Sequence, residues 1–169
     1  DGKTFTYYIS EAKDGLPGVA YDNKNEKVEI YVEDNHDGTL KVTYGGSNSY
    51  TTPVFTNTYT ASGTAHLYAQ KADSGNLGDR TFTFELINDA GEVETVTNVK
   101  AGGTATFKTL TYTKDNLGTN TSKVYTYTIR EVDDGQPSVQ YDKHAHTVTI
   151  LVADDGEGHL NVTYDGAQD

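Results

Sequence analysis

Cysteine, methionine and tryptophan are all absent from this 169-residue sequence, and each absence excludes something. Without Cys there is neither a disulfide nor a thiolate metal site, so any covalent reinforcement must be of another kind. Without Met, even as an initiator, the sequence reads as a stretch of a longer polypeptide, and no signal segment fixes its address. Cations are scarce: 13 Lys and Arg stand against 25 Asp and Glu, a net charge of −12. Binding to a phosphate backbone depends on clustered cations, so nucleic acid is not an expected partner. No apolar run approaches the length of a membrane-spanning helix, and no membrane insertion is expected of this stretch.

What the chain has instead is Tyr, 13 of them, and 17 Gly. TFTYYISE, KVEIYVED, TLKVTYG, TFTFELIND, TATFKTLTYT, VYTYTIREV, TVTILVAD and HLNVTYD alternate or run in β-branched and aromatic residues, with Gly, Asn and Asp turns between them. No stretch has a convincing helical period. Short strands at this spacing, with turns such as DGTL and GEGHL, predict an all-β antiparallel sandwich or barrel.

An internal repeat organises these strands. Residues 4–46 align with residues 124–166 without a gap at a constant offset of 120, and 20 of the 43 positions are identical. The matches include Glu11 and Glu131, the DG turns at Gly15 and Gly135, Pro17 and Pro137, and the YD pairs at Tyr21 and Tyr141. A period of this size is a whole domain, not a solenoid unit. The expected division is residues 1–60 as the C-terminal part of one copy and 61–169 as the next copy lacking its last strand, with 61 to 65 as a short linker.

Within VFTNTYTASG, residues 54–63, Asn57 is out of place. Asparagine is depleted in strands, and a buried carboxamide must find partners that water would otherwise supply. Lys71 presents a similar oddity, because alternation in HLYAQK sets Leu67, Ala69 and Lys71 on one face, an apolar series ending in an amine. Glu11 and Glu131 follow Tyr7 and Ile9, and Tyr127 and Ile129, on faces that read as inward. A carboxyl there is costly unless it is paired or neutral.

The order LYAQKADSG, TFTFEL, VYTYTIREVDDGQPSVQYD and FTNTY resembles the pilin isopeptide-linkage domains of Gram-positive surface proteins, found in streptococcal major pilins and adhesin stalks. The resemblance covers the chain as one and a half copies. It implies tandem immunoglobulin-like (CnaB-like) antiparallel β-sandwich domains, an extracellular, cell-wall-anchored setting, and no cofactor. In that family a Lys on the first strand and an Asn on the last are joined through their side chains, promoted by an acid. Carried over, Lys71 matches the Lys, Asn57 the Asn, and Glu11 and Glu131 the acids, with the three divided between the two copies.

The chemistry suits such residues. Apolar burial lowers the pKa of an amine toward its nucleophilic neutral form and raises that of a carboxyl. A protonated Glu on the Asn carbonyl would polarise it and shuttle protons to departing ammonia. Phe55, Tyr59, Phe82, Phe84, Tyr127 and Ile129 are the expected apolar walls. Loss of ammonia makes this a one-way maturation, not enzyme turnover.

Other candidates are weaker. DNHDG (34–38) and DDGEG (154–158) have the residues of acidic hairpin turns and lack the length of an EF-hand loop. His144 and His146 have no evident third ligand for zinc, and Lys24 and Glu26 replace them in the first copy. The expected function is structural, a stalk or pilus shaft whose partners are neighbouring repeats and, by strand exchange at an unpaired edge, other copies of itself. The rival is an adhesin domain that binds host protein or glycan through its loops.

Overall fold

A computed structural model describes residues 2–73 and 75–165. The chain divides into two compact units, residues 1–59 and 60–169. The first contains β1 (Lys3–Ser10), β2 (Val19–Ala20), β3 (Asn25–Asp34), β4 (Leu40–Tyr44) and β5 (Thr58–Tyr59). β1, β3 and β4 form one antiparallel sheet in that order, and β2 pairs with β5.

The second unit contains β6 (Ser62–Ala65), β7 (Tyr68–Gln70), β8 (Thr81–Asn88), β9 (Val93–Lys100), β10 (Thr104–Thr106), β11 (Leu110–Thr113), a single helical turn α1 (Lys114–Leu117), β12 (Ser122–Glu131), β13 (Ala145–Asp154) and β14 (Leu160–Asp165). A five-stranded sheet of order β14-β13-β12-β8-β9 is accompanied by the pairs β10-β7 and β11-β6. Strand pairing is antiparallel throughout these sheets, as the alternating sequences require. This is an all-β, antiparallel β-sandwich.

The 120-residue repeat is structural as well. β3 and β13 have the same bounds once shifted by 120, and the registers agree: Tyr7 opposes Val28 as Tyr127 opposes Val148, and Ile30 opposes Tyr44 as Ile150 opposes Tyr164. Side chains alternate on a strand with period two, so equal registers put equal residues on equal faces. In the second unit that face is the core, built on Phe82, Phe84, Leu86, Ile129, Ile150 and Val152. In the first unit the matching positions Tyr7 and Ile9 are 54% and 37% exposed.

Four sequence expectations change. Ser62–Ala65, read as linker, is strand β6, and its Ala65 is fully buried. Gly63 makes this possible: a Cβ there would stand 2.3 Å from the Leu160 carbonyl oxygen, so only glycine permits so close an approach to β14. TATFKTLTYT is not one strand but β10 and β11, which pair with β7 and β6 respectively. The strand β9 escaped the reading because the valines of VETVTNVK stand three apart and the strand lies at a sheet edge, where burial imposes little pattern. Finally, residues 54–57 lie outside any strand, and pairing begins only at Thr58.

Gly63→Ala should therefore destabilise the second unit by about 1–3 kcal/mol through overpacking. A lowered denaturant midpoint in equilibrium unfolding checks this, and an unchanged midpoint refutes it.

Candidate functional site

Each unit contains a loop of the same build, after β1 in the first and after β12 in the second. The DG turn puts Gly15 and Gly135 at φ 77° and 75°, a left-handed conformation that favours glycine. The Tyr of the YD pair then braces the turn. Tyr21 hydroxyl accepts from Leu16 N–H at 2.9 Å and donates to Asp14; Tyr141 hydroxyl accepts from Gln136 N–H at 3.0 Å and donates to Asp134. The following aspartates, Asp22 and Asp142, are thereby presented beside Glu11 and Glu131.

In the second unit, Glu131 closes β12 opposite Phe84 of β8, with a side chain only 3% exposed. Its Oε1 lies 2.7 Å from Lys71 Nζ. Lys71 is not on the first strand, as the sequence suggested, but directly after β7, the second strand of the unit; its N–H and C=O bond to Gly103 and Gly102. The alternation is as read: Leu67 is buried, Ala69 and Lys71 are half-buried, and Tyr68 and Gln70 face out. The ammonium rests over the Phe82 ring, 4.3 Å from its centroid. Glu131 Oε2 accepts a hydrogen bond from Asp142 N–H at 2.8 Å. Lys71, Glu131, Phe84, Gln140, Tyr141 and Asp142 line a groove of about 720 Å³. Tyr127 and Ile129 are buried on the same face of β12, and Tyr127 hydroxyl pairs with that of Tyr112 at 3.0 Å. Burial pushes both phenols up from their ordinary value.

In the first unit the counterpart of Glu131 has a different companion. Glu11 Oε1 accepts from Asn57 Nδ2 at 2.5 Å, and Glu11 Oε2 is buried with no hydrogen-bond partner among the described residues. Asn57 Oδ1 accepts from Asp22 N–H at 2.9 Å. The expectation that the acid would polarise the Asn carbonyl is therefore corrected: the acid meets the amide nitrogen, and a main-chain N–H meets the oxygen. Asp22 also holds the segment that carries Asn57, since its Oδ2 accepts Thr56 N–H at 3.0 Å. Lys24 Nζ donates to Val54 carbonyl at 3.1 Å and lies 3.1 Å from Asp22. The Thr56 and Lys24 N–H groups hold the Asp22 carboxyl below the usual range.

The structure thus brings Lys71 to Glu131 and Asn57 to Glu11, one pair in each unit. The family model described as FctA, the Spy0128-like isopeptide-containing domain, matches residues 1–60 and 67–169. The chain belongs to this family. Domains of the family occur in Gram-positive cell-surface pilins, an extracellular setting, and are structural modules rather than enzymes. No curated protein matches the chain.

The sequence reading of this Spy0128-like chain missed Asp22 and Asp142. Both stand in the repeat as the second half of YD, and the retained YD pair was the available signal. The histidines behave locally: His144 Nδ1 lies 2.6 Å from Asp142 Oδ1. Among the described residues, no group of three or more potential ligands could hold a metal.

Two tests follow from this geometry. Removing one partner of a buried ion pair strands the other charge, so Glu131→Ala should cost the second unit about 3–5 kcal/mol, whereas the double change Lys71→Met with Glu131→Leu should be close to neutral. Equilibrium unfolding that gives equal losses for both would contradict this pairing. For Asp22, a depressed folded pKa means that the Thr56 contact contributes fully above the unfolded value of about 3.9 and is lost as pH falls through the folded value. The Asp22 carboxyl carbon should titrate by NMR with a midpoint below that value, and a midpoint at or above it would contradict the Thr56 bond.

Proposed function

We propose that this chain is stalk or pilus-shaft structure whose repeats are each locked by an autocatalytic Lys–Asn isopeptide bond, with Lys71 as nucleophile and Glu131 as promoting acid in the second unit, and Asn57 as acceptor and Glu11 as acid in the first. One observation supports this above all. Equivalent glutamates hold the amine in one unit, at 2.7 Å, and the carboxamide in the other, at 2.5 Å. Together they describe the reactant complex of a single reaction.

The steps balance. A proton passes from the Lys71 ammonium to the Glu131 carboxylate across their contact, leaving a neutral amine. The amine attacks Cγ of the Asn, forming a C–N bond and placing negative charge on Oδ1. The acid gives its proton to the amide nitrogen and takes one from the attacking nitrogen. The old C–N bond breaks, ammonia leaves, and a secondary amide remains. Phe82 beneath the amine and Phe84 opposite the acid give this exchange apolar walls. No oxidant or cofactor enters.

For a shaft the benefit is mechanical. A side-chain bond between Lys71, directly after β7, and an Asn segment carries tension past the remaining strands. As a closed loop of roughly 100 residues it would also restrict the unfolded chain by about 4–5 kcal/mol in the chain-entropy model, as a disulfide does. A Cys-free extracellular chain has no disulfide to do this. Loop-borne adhesion has less support, because the exposed aromatics Phe5, Tyr7, Tyr8, Tyr31, Tyr68 and Tyr164 lie on strands, against Tyr50 in a loop.

The experiment supplies the missing partner from outside. A peptide of sequence SYTTPVFTNTYTA, mixed with the 169-residue chain, should give an adduct whose mass is the sum of both less one ammonia, with the linkage at Lys71 and none formed by Lys71→Ala or Glu131→Ala. A wild-type chain that yields no adduct refutes the reading.

A further inference from the structure

The two units differ at one hydrogen bond in a way that the acid, amine and carboxamide alone do not explain. Where the carboxamide is present, Asp22 N–H donates to Asn57 Oδ1; where it is not, the equivalent Asp142 N–H donates to Glu131 Oε2. The equivalent main-chain donor thus has a different acceptor in each unit. In the first unit Asp22 and the strand before it each hold the segment further. The Asp22 carboxylate accepts the N–H of Thr56, the residue before the Asn, and β2, two residues upstream of it, pairs Ala20 with Thr58 and Val19 with Tyr59. The segment is therefore held on both sides of Asn57 by one short stretch, residues 19–22.

The counterpart stretch in the second unit, 139–142, has the same bracing by Tyr141, and its Gln140, Tyr141 and Asp142 line the groove that holds Lys71 and Glu131. Val139 and Gln140 form no strand pair among the described residues. Ser138 takes φ 62°, the left-handed conformation that Gly18 takes at φ 72° in the first unit, so the turn leading into this stretch is retained despite the change of residue.

We propose that Asp22 and Asp142 are the positioning residues of the cross-linking reaction: the carboxylate fixes the register of the Asn-bearing segment through the N–H preceding the Asn, and the main-chain N–H moves from the acid to the Asn oxygen, where it holds the charge that develops on attack. This rests on the Lys–Asn reading above. The physical reasoning is that a fixed donor at 2.9 Å from the carbonyl oxygen needs no reorganisation when the oxygen becomes anionic. Pairing begins at Thr58, directly after Asn57, and a one-residue shift of that pairing would carry the carboxamide away from acid and amine, so the clamp at the preceding residue decides whether attack is possible. The move of the N–H also frees one Glu131 oxygen to meet the amide nitrogen, as Glu11 Oε1 meets Asn57 Nδ2.

The test is a double-mutant cycle on the rate of adduct formation between the 169-residue chain and the SYTTPVFTNTYTA peptide, read at saturating peptide. One arm is Asp142→Ala in the protein. The other is N-methylation of the peptide at the Thr before the Asn, which removes the N–H that the carboxylate would accept and leaves the protein untouched. Each change alone should slow the first-order step by about 10- to 100-fold, and both together should be no slower than the more damaging one. Effects that multiply, or a wild-type rate from either change alone, overturn the positioning role. If Asp142→Ala does not fold, the N-methylated peptide decides with wild-type protein. An absence of adduct from the unmodified pair brings down the Lys–Asn reading itself, whereas adduct formation indifferent to both changes brings down only this inference.

Discussion

A glutamate on the inward face of a β-strand is the constraint on which the arrangement depends. Glu131 ends β12 after Tyr127 and Ile129, both buried, and its own side chain is almost wholly out of water. A carboxyl in that place needs a cation, a donor or a proton. The second unit supplies the first two, from Lys71 and from the N–H of Asp142. Lys71 in turn is held between the acid and the face of Phe82, and its own backbone is bonded to Gly102 and Gly103. The surrounding aromatic and β-branched strands are thus more than a core, because they set the environment in which amine and acid meet.

The first unit shows the same acid meeting a different need. Glu11 faces a carboxamide, and the oxygen of that carboxamide is taken by the main chain at Asp22. Placed side by side, the two units give complementary views of one site, because the strands that carry the acid and the loop that follows it are in register at a shift of 120 residues. The proposed chemistry is read from that superposition. The amine comes from one view, the acceptor from the other, and the acid and the main-chain donor from both.

Much of this was legible in the sequence, for identifiable reasons. The repeat could be seen because β12, β13 and β14 bury one face and so alternate in apolar residues, and β1, β3 and β4 retain apolar residues at the same positions although β1 itself is exposed. Glu11, Glu131, Lys71 and Asn57 could be picked out because each breaks an apolar or strand-forming pattern, and a broken pattern is a signal. The strand β9 gave no such signal, since its valines Val93, Val96 and Val99 stand three apart and break strand alternation where the pairing with β8 is irregular. Ser62–Ala65 was hidden for the opposite reason: small residues that suggest a linker are also what a close approach to Leu160 demands. The retained YD pair could have pointed to the Asp22 and Asp142 carboxylates, but not to their backbone N–H contacts, because every residue but proline has that group and no side-chain pattern distinguishes it.

The central claim is that the nitrogen of Lys71 becomes part of an amide with the carboxamide carbon of the incoming Asn. The most direct measurement is an NMR experiment on the 169-residue chain labelled with ¹⁵N at lysine side chains, mixed with the Asn-bearing peptide labelled with ¹³C at Cγ. One new amide N–H signal, its nitrogen coupled to the labelled carbon and absent in Lys71→Ala, is the result this account predicts. A Lys71 nitrogen that remains an amine or ammonium while the peptide occupies the groove would contradict it.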